Sequence, residues 1–138
     1  MTTAPDQKVR VQYADTDAGG VVHHAACLRW FEAARAEWLG AHGIEAAALH
    51  RDSGLVLAIT AVQIAFKRPA MLDDRLLIQT RVLTVGRSSI ELGQQAMIDG
   101  VPCIDSRFSL VCVDVRQGRP ARLPDTLTDA GAQNPVSG

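Results

Sequence analysis

One long helical pattern followed by almost nothing but strand-patterned sequence limits what this chain can fold into more than any other feature. Residues 24–42 set Cys27, Phe31, Ala34, Trp38 and Ala41 at helical spacing, with Leu28 and Leu39 widening the stripe. Arg29, Glu32, Arg35 and Glu37 fall mostly off it, and Glu32 has an arginine three residues away on either side, a spacing that favours surface ion pairs. The pattern predicts one helix of about five turns, with Gly43 suited to its stop. A single stripe of this width must be covered, and only a sheet is available to cover it.

The strand signals lie on both sides. Residues 8–14, KVRVQYA, alternate Val9, Val11 and Tyr13 with Lys8, Arg10 and Gln12, which predicts a first strand. Residues 44–54 read as a short second helix closed by Ser53 and Gly54. From Leu55 the sequence turns β-branched and apolar in four runs, separated by residues 69–74, by Gly86 with Arg87, and by Asp99-Gly100, a strong two-residue hairpin signal. In the third run Ile90, Leu92, Ala96 and Ile98 share one face and Ser89, Glu91, Gln95 and Met97 the other, the alternation of a half-buried antiparallel sheet. Pro102 stands at the start of the last run, where a missing N–H is tolerated. The expected class is α+β: a five-stranded antiparallel sheet curved around the long helix, in a single domain over residues 1–128. Residues 125–128 form a last turn in this reading, and 129–138 a disordered tail.

Size and charge exclude several roles. A chain of 138 residues buries roughly two-thirds of its unfolded surface and needs no staples. A formal charge of −1 gives no basic field for nucleic acid or anionic lipid. No run approaches the length of a membrane span, and the first residues lack the apolar core of a signal peptide. Cys27, Cys103 and Cys112 are odd in number and embedded in apolar sequence, which argues for buried thiols in a reducing compartment and a cytoplasmic protein.

The chemistry concentrates in residues 13–38. Asp15 and Asp17 flank Thr16, Gly19 and Gly20 supply backbone freedom, and His23 and His24 stand where the helix begins. A helix N-terminus offers unpaired N–H groups and a positive dipole end, so it can hold an anion or polarise a carbonyl oxygen. Asp17 alone has two readings, a loop or N-cap aspartate bonding backbone N–H groups or a catalytic carboxylate. His24 can orient substrate, hold a water, bond Asp17, or face solvent. Adjacent histidines on a helix point about 100° apart and no Cys/His/Glu cluster accompanies them, so no metal site is expected.

The run YADTDAGGVVHHAACLRWFEAARAEWL resembles the hotdog-fold acyl-CoA thioesterases of the 4-hydroxybenzoyl-CoA thioesterase type, and most closely their Tol-Pal-associated branch. The weaker match KRPAMLDDRLLIQTRV and the element order extend the likeness to about residue 124. The resemblance implies a hotdog fold with strand order 1-3-4-5-2, pairing into a homodimer or homotetramer with active sites at the dimer interface. It implies hydrolysis of acyl-CoA without a cofactor, with Asp17 as the catalytic carboxylate, His24 beside it, and a backbone N–H at or next to His24 polarising the thioester carbonyl. Arg87 with Ser88, and less directly Lys67 with Arg68, match positions that meet coenzyme A phosphates. His23 and Cys27 replace aromatic residues near the acyl pocket, to which Glu32 and Thr60 also have a claim. Asp15 is left as a turn former orienting the loop. A non-catalytic acyl-CoA or acyl-carrier-protein binding module is the alternative.

Overall fold

The computed structural model describes residues 6–133. Its elements are β1 (Gln7–Arg10), α1 (His24–Ala41), α2 (Ala46–Ser53), β2 (Leu55–Phe66), β3 (Arg75–Val85), β4 (Ser89–Ile98), β5 (Val101–Asp114), β6 (Arg119–Pro120) and α3 (Asp125–Gln133). The strands form one antiparallel sheet in the order β1-β3-β4-β5-β2, with the two-residue β6 added to β5. The α+β architecture and strand order are those the resemblance implied: a hotdog fold, its curled sheet holding the long helix α1.

Alternation builds the interface between sheet and helix. Ile90, Leu92 and Ala96 of β4 are buried, as are Ile104, Phe108, Leu110 and Cys112 of β5, and they meet Cys27, Phe31, Ala34 and Trp38 of α1 in one core. Phe31 meets Phe108 edge-on at 5.9 Å between ring centroids, a favoured aromatic geometry. The Asp99-Gly100 turn joins Ile98 to Val101 with positive φ at both residues, 51° and 78°, as a two-residue hairpin requires.

Four expectations need correction. The first strand ends at Arg10, because Tyr13–Asp15 winds into a 3-10 turn whose Asp15 carboxylate accepts the Gln12 N–H at 2.9 Å; Tyr13 is consequently 81% exposed. The helix stripe keeps Cys27, Phe31, Ala34 and Trp38 buried but widens differently from the expectation, so that Leu28 is exposed while Trp30 and Arg35 are buried. Arg29 and Arg35 do not pair with Glu32: Arg29 bonds Asp15, and Arg35 bonds Gln94 inside the core. The last turn, expected over residues 125–128, is longer, because α3 continues to Gln133. Leu123, Leu127 and Ala130 are buried at helical spacing, which fastens this helix to the sheet; residues 134–138 of the expected tail lie outside the described residues.

Candidate active site at the start of the long helix

The loop between β1 and α1 is a tight hairpin. Thr16 and Val22 form an antiparallel bridge, the Asp17 N–H donates to the Val21 carbonyl at 3.0 Å, and the Gly20 N–H donates to the Asp17 carbonyl at 3.0 Å. Gly20 closes the turn with φ of 75°, a conformation in which glycine bears no Cβ penalty. The Asp17 side chain is exposed on this turn, with Oδ1 accepting the Gly19 N–H at 3.0 Å and Oδ2 without a partner among the described residues. One oxygen is thus held by the backbone and the other is available.

Two residues lock the hairpin to α1. Asp15 is buried, and its Oδ1 accepts from Arg29 Nη2 at 3.1 Å while its carbonyl accepts the His23 N–H at 2.9 Å. His23 is the N-cap: Nδ1 accepts the Ala26 N–H at 3.2 Å, and Nε2 lies 3.0 Å from the Ala14 carbonyl. Because the carbonyl only accepts and the amide only donates, the two contacts fit the tautomer that carries its proton on Nε2. His23, expected in the acyl pocket, has both ring nitrogens committed to backbone.

His24 opens the helix. Its ring stacks on Phe66 at the end of β2, 4.5 Å between centroids and 20° from parallel. Together they line a cavity of about 220 Å³ with Lys67, Arg68, Ala70 and Ile104. The backbone N–H groups of His24 and Ala25 make no hydrogen bond among the described residues, as the first turn of a helix leaves them. The cavity thus has an aromatic wall and two cations, and His24, the first residue of α1, lines it. Lys67 bonds Asp105 at 2.6 Å, which holds that carboxyl below its usual range. Arg68 has no ion pair among the described residues.

The other expected residues lie elsewhere. Cys27 is wholly buried; burial first, with the charge of Cys103 next, pushes its thiol up to about 11, so it is no thiolate nucleophile at neutral pH. Burial raises Cys103 and Cys112 likewise. Thr60 fills a β-bulge between Ile59 and Ala61 and donates to the Ser109 carbonyl at 3.2 Å. Glu32 lines a second cavity further along α1. Arg87 and Ser88 occupy the β3–β4 turn, where their carbonyls accept from Leu123 and Cys112. That turn adjoins Ser89, whereas Phe66 aligns through Ile104 with Ala96. At about 3.3 Å per residue the two positions on β4 are roughly 23 Å apart. One chain thus brings Lys67 and Arg68 to the helix start, but not Arg87 and Ser88.

Sequence reasoning missed Phe66, whose signal was an aromatic residue closing a strand directly before the Lys-Arg-Pro run. Among the described residues no group of three His, Cys, Asp or Glu is placed to hold a metal, and no helix is long and apolar enough to cross a membrane.

Comparison with known proteins identifies the family. The family model of the thioesterase-like superfamily matches residues 11–131. The acyl-CoA thioesterase YbgC of Haemophilus influenzae is 34% identical over 122 residues, covering 88% of this chain and 90% of that relative. The acyl-CoA thioester hydrolase YbgC of Escherichia coli is 33% identical over 120 residues, covering 86% and 89%. A crystal structure of a probable thioesterase from Bartonella henselae superposes with a TM-score of 0.78 at 31% identity, covering 86% of this chain and 98% of that one. With a family model matched over nearly all of its length, relatives at 33–34% identity and a superposable thioesterase structure, the chain belongs to the thioesterase-like superfamily of hotdog proteins.

Proposed function

We propose that this protein hydrolyses acyl-CoA thioesters to the free acid and coenzyme A. The observation that carries the proposal is the start of α1, where the first turn leaves unpaired N–H groups and His24 lines a cavity with Lys67 and Arg68, next to a hairpin that presents a carboxylate with one free oxygen. In this reading the thioester oxygen accepts from the N–H groups at His24 and Ala25, which strengthen as negative charge develops on that oxygen. Asp17 takes a proton from water, whose oxygen attacks the carbonyl carbon; the tetrahedral intermediate collapses, the C–S bond breaks and the thiolate leaves to be protonated. Asp17 can instead attack the carbon itself and form a mixed anhydride that water then cleaves. Label in Asp17 after a single turnover in ¹⁸O-labelled water identifies the second route with water attacking the aspartyl carbonyl, and trapping of the acyl-enzyme by hydroxylamine identifies the anhydride whichever carbonyl water attacks.

His24 holds the substrate in place through its stack with Phe66, and Lys67 with Arg68 meet phosphate groups of coenzyme A. β2 is an edge strand with exposed Ile59, Val62 and Phe66. An edge of this kind is a template for pairing, which supports a homodimer formed through β2 that would bring Arg87 and Ser88 of a partner subunit into reach. Three buried thiols fit a cytoplasmic location.

The test is hydrolysis of short, medium, long and aromatic acyl-CoA by the wild type and by Asp17→Asn at equal folded concentration. Loss of a catalytic carboxylate is expected to reduce kcat by about 10²–10⁴-fold. Similar rates in the two proteins would remove Asp17 from the mechanism, and tight binding without turnover of any class would leave a binding module.

A further inference from the structure

The face of the sheet turned away from α1 is hollowed between its strands. Alternation sends Ile104, Ser106 and Phe108 of β5 toward the core and Asp105 and Arg107 to the other side. Across the strands on that outer side Arg107 pairs with Gly93, and Gly93 with Arg81. Gly93 is buried and puts no side chain between the two arginines; a Cβ there would stand 3.1 Å from Leu83 Cδ2. Two strand spacings separate Arg81 from Arg107, about 9.5 Å between Cα atoms. The result is a groove of about 430 Å³ whose lining includes both arginines, Gly93, Leu83, Gln63 and Gln95. It shares no residue with the cavity at the start of α1.

Cations are in excess along this groove. Arg107 Nε pairs with Glu91 at 3.0 Å, which leaves its two Nη groups without an acceptor among the described residues. Arg81 has neither a hydrogen bond nor an ion pair among the described residues. Asp105 is a carboxylate on which the Arg81 charge acts, and it is already engaged by Lys67 at 2.6 Å and by Gln95 at 2.7 Å. Three cations, Arg81, Arg107 and Lys67, thus stand against two carboxylates, Asp105 and Glu91.

We propose that this groove binds an organic diphosphate, its phosphates bridging Arg81 and Arg107 over Gly93. Guanidinium forks match phosphate oxygens bidentately, and two forks on opposite sides of one gap select a ligand that carries charge at two points. A floor without a side chain lets the ligand approach the backbone closely. The volume falls within the roughly 300–1,000 Å³ of small-molecule sites, which leaves room for an organic body against Leu83 and the carboxamide of Gln63. The site lies on the opposite face from the helix start and stands independently of the catalytic reading.

Calorimetric titration of ADP, pyrophosphate, succinate and adenosine into the full-length protein tests it. ADP is expected to bind saturably and more tightly than pyrophosphate, with succinate and adenosine roughly tenfold or more weaker than ADP. Arg81→Gln and Arg107→Gln, both at exposed positions, are each expected to lower ADP affinity roughly tenfold or more, the worth of a charge-assisted hydrogen bond, in proteins of native circular dichroism. Arg68→Gln, at the other cavity, is expected to leave that affinity unchanged. Pyrophosphate binding as tightly as ADP would support the diphosphate site and make its ligand inorganic. No saturable ADP binding, succinate or adenosine equal to ADP, retained affinity in either outer-face variant, or loss of affinity in Arg68→Gln would each overturn the proposal.

Discussion

Replacing His23 separates a helix cap from a substrate contact. The imidazole accepts the Ala26 N–H and donates to the Ala14 carbonyl, so it ties the first turn of α1 to the 3-10 turn before it. His23→Ala removes an N-cap acceptor, worth about 1 kcal/mol, and a second hydrogen bond worth about 1 kcal/mol net. The expected loss is therefore about 2 kcal/mol, or roughly 4–8 °C in Tm for a domain of this size. Asn keeps an oxygen for the Ala26 amide but is too short to reach Ala14, so His23→Asn should lose only about half as much. Urea denaturation monitored by circular dichroism gives both values, and the order wild type, Asn, Ala is the signature of a cap. A His23→Ala protein within about 0.5 kcal/mol of wild type, the level of an uninvolved surface substitution, would refute the assignment. So would Asn proving no better than Ala.

Two further outcomes follow from other parts of the fold. Asp105 has a depressed folded-state pKa, chiefly through its hydrogen bond from Lys67; its contribution is present above the unfolded carboxylate value of about 3.9 and is lost as pH falls through the lower folded value. Asp105→Asn should therefore flatten the acid limb of a stability-against-pH curve below about pH 4 and change nothing in its slope near pH 7. Gly131 of α3 lies where a Cβ would overlap the Val85 side chain of β3, so Gly131→Ala should destabilise by about 1–3 kcal/mol through overpacking, measured by thermal unfolding. An unchanged Tm would mean that α3 is not seated against the sheet.

Much of the fold was legible because it rests on short-range periodicity. The β3 limits, the Asp-Gly hairpin and the faces of β4 follow from alternation and turn chemistry, both of which act between near neighbours in sequence. Tyr13 misled for the same reason: alternation extended the first strand through it, while the competing hydrogen bonds of Asp15 reach Gln12 locally and Arg29 fourteen residues away. The Glu32 arginines misled because i,i+3 spacing offers a weak surface pair, and each arginine found a stronger or more buried partner elsewhere. Asp17, His24 and the helix start were marked by local residues alone. Their company was not, since Phe66 and Lys67 join them through sheet pairing.

The sequence by itself determined the element order, the α+β class, the reactive loop and its placement before a long helix, because each is a property of contiguous residues. Tertiary structure decided which polar residues became structural and which stayed available. Asp15 and His23 were drawn into backbone hydrogen bonds, whereas Asp17 kept one oxygen free. Arg35 entered the core opposite Gln94, 59 residues away in sequence. The strength of a buried charge depends on what surrounds it, and that surrounding is assembled only when β4 and β5 close over α1.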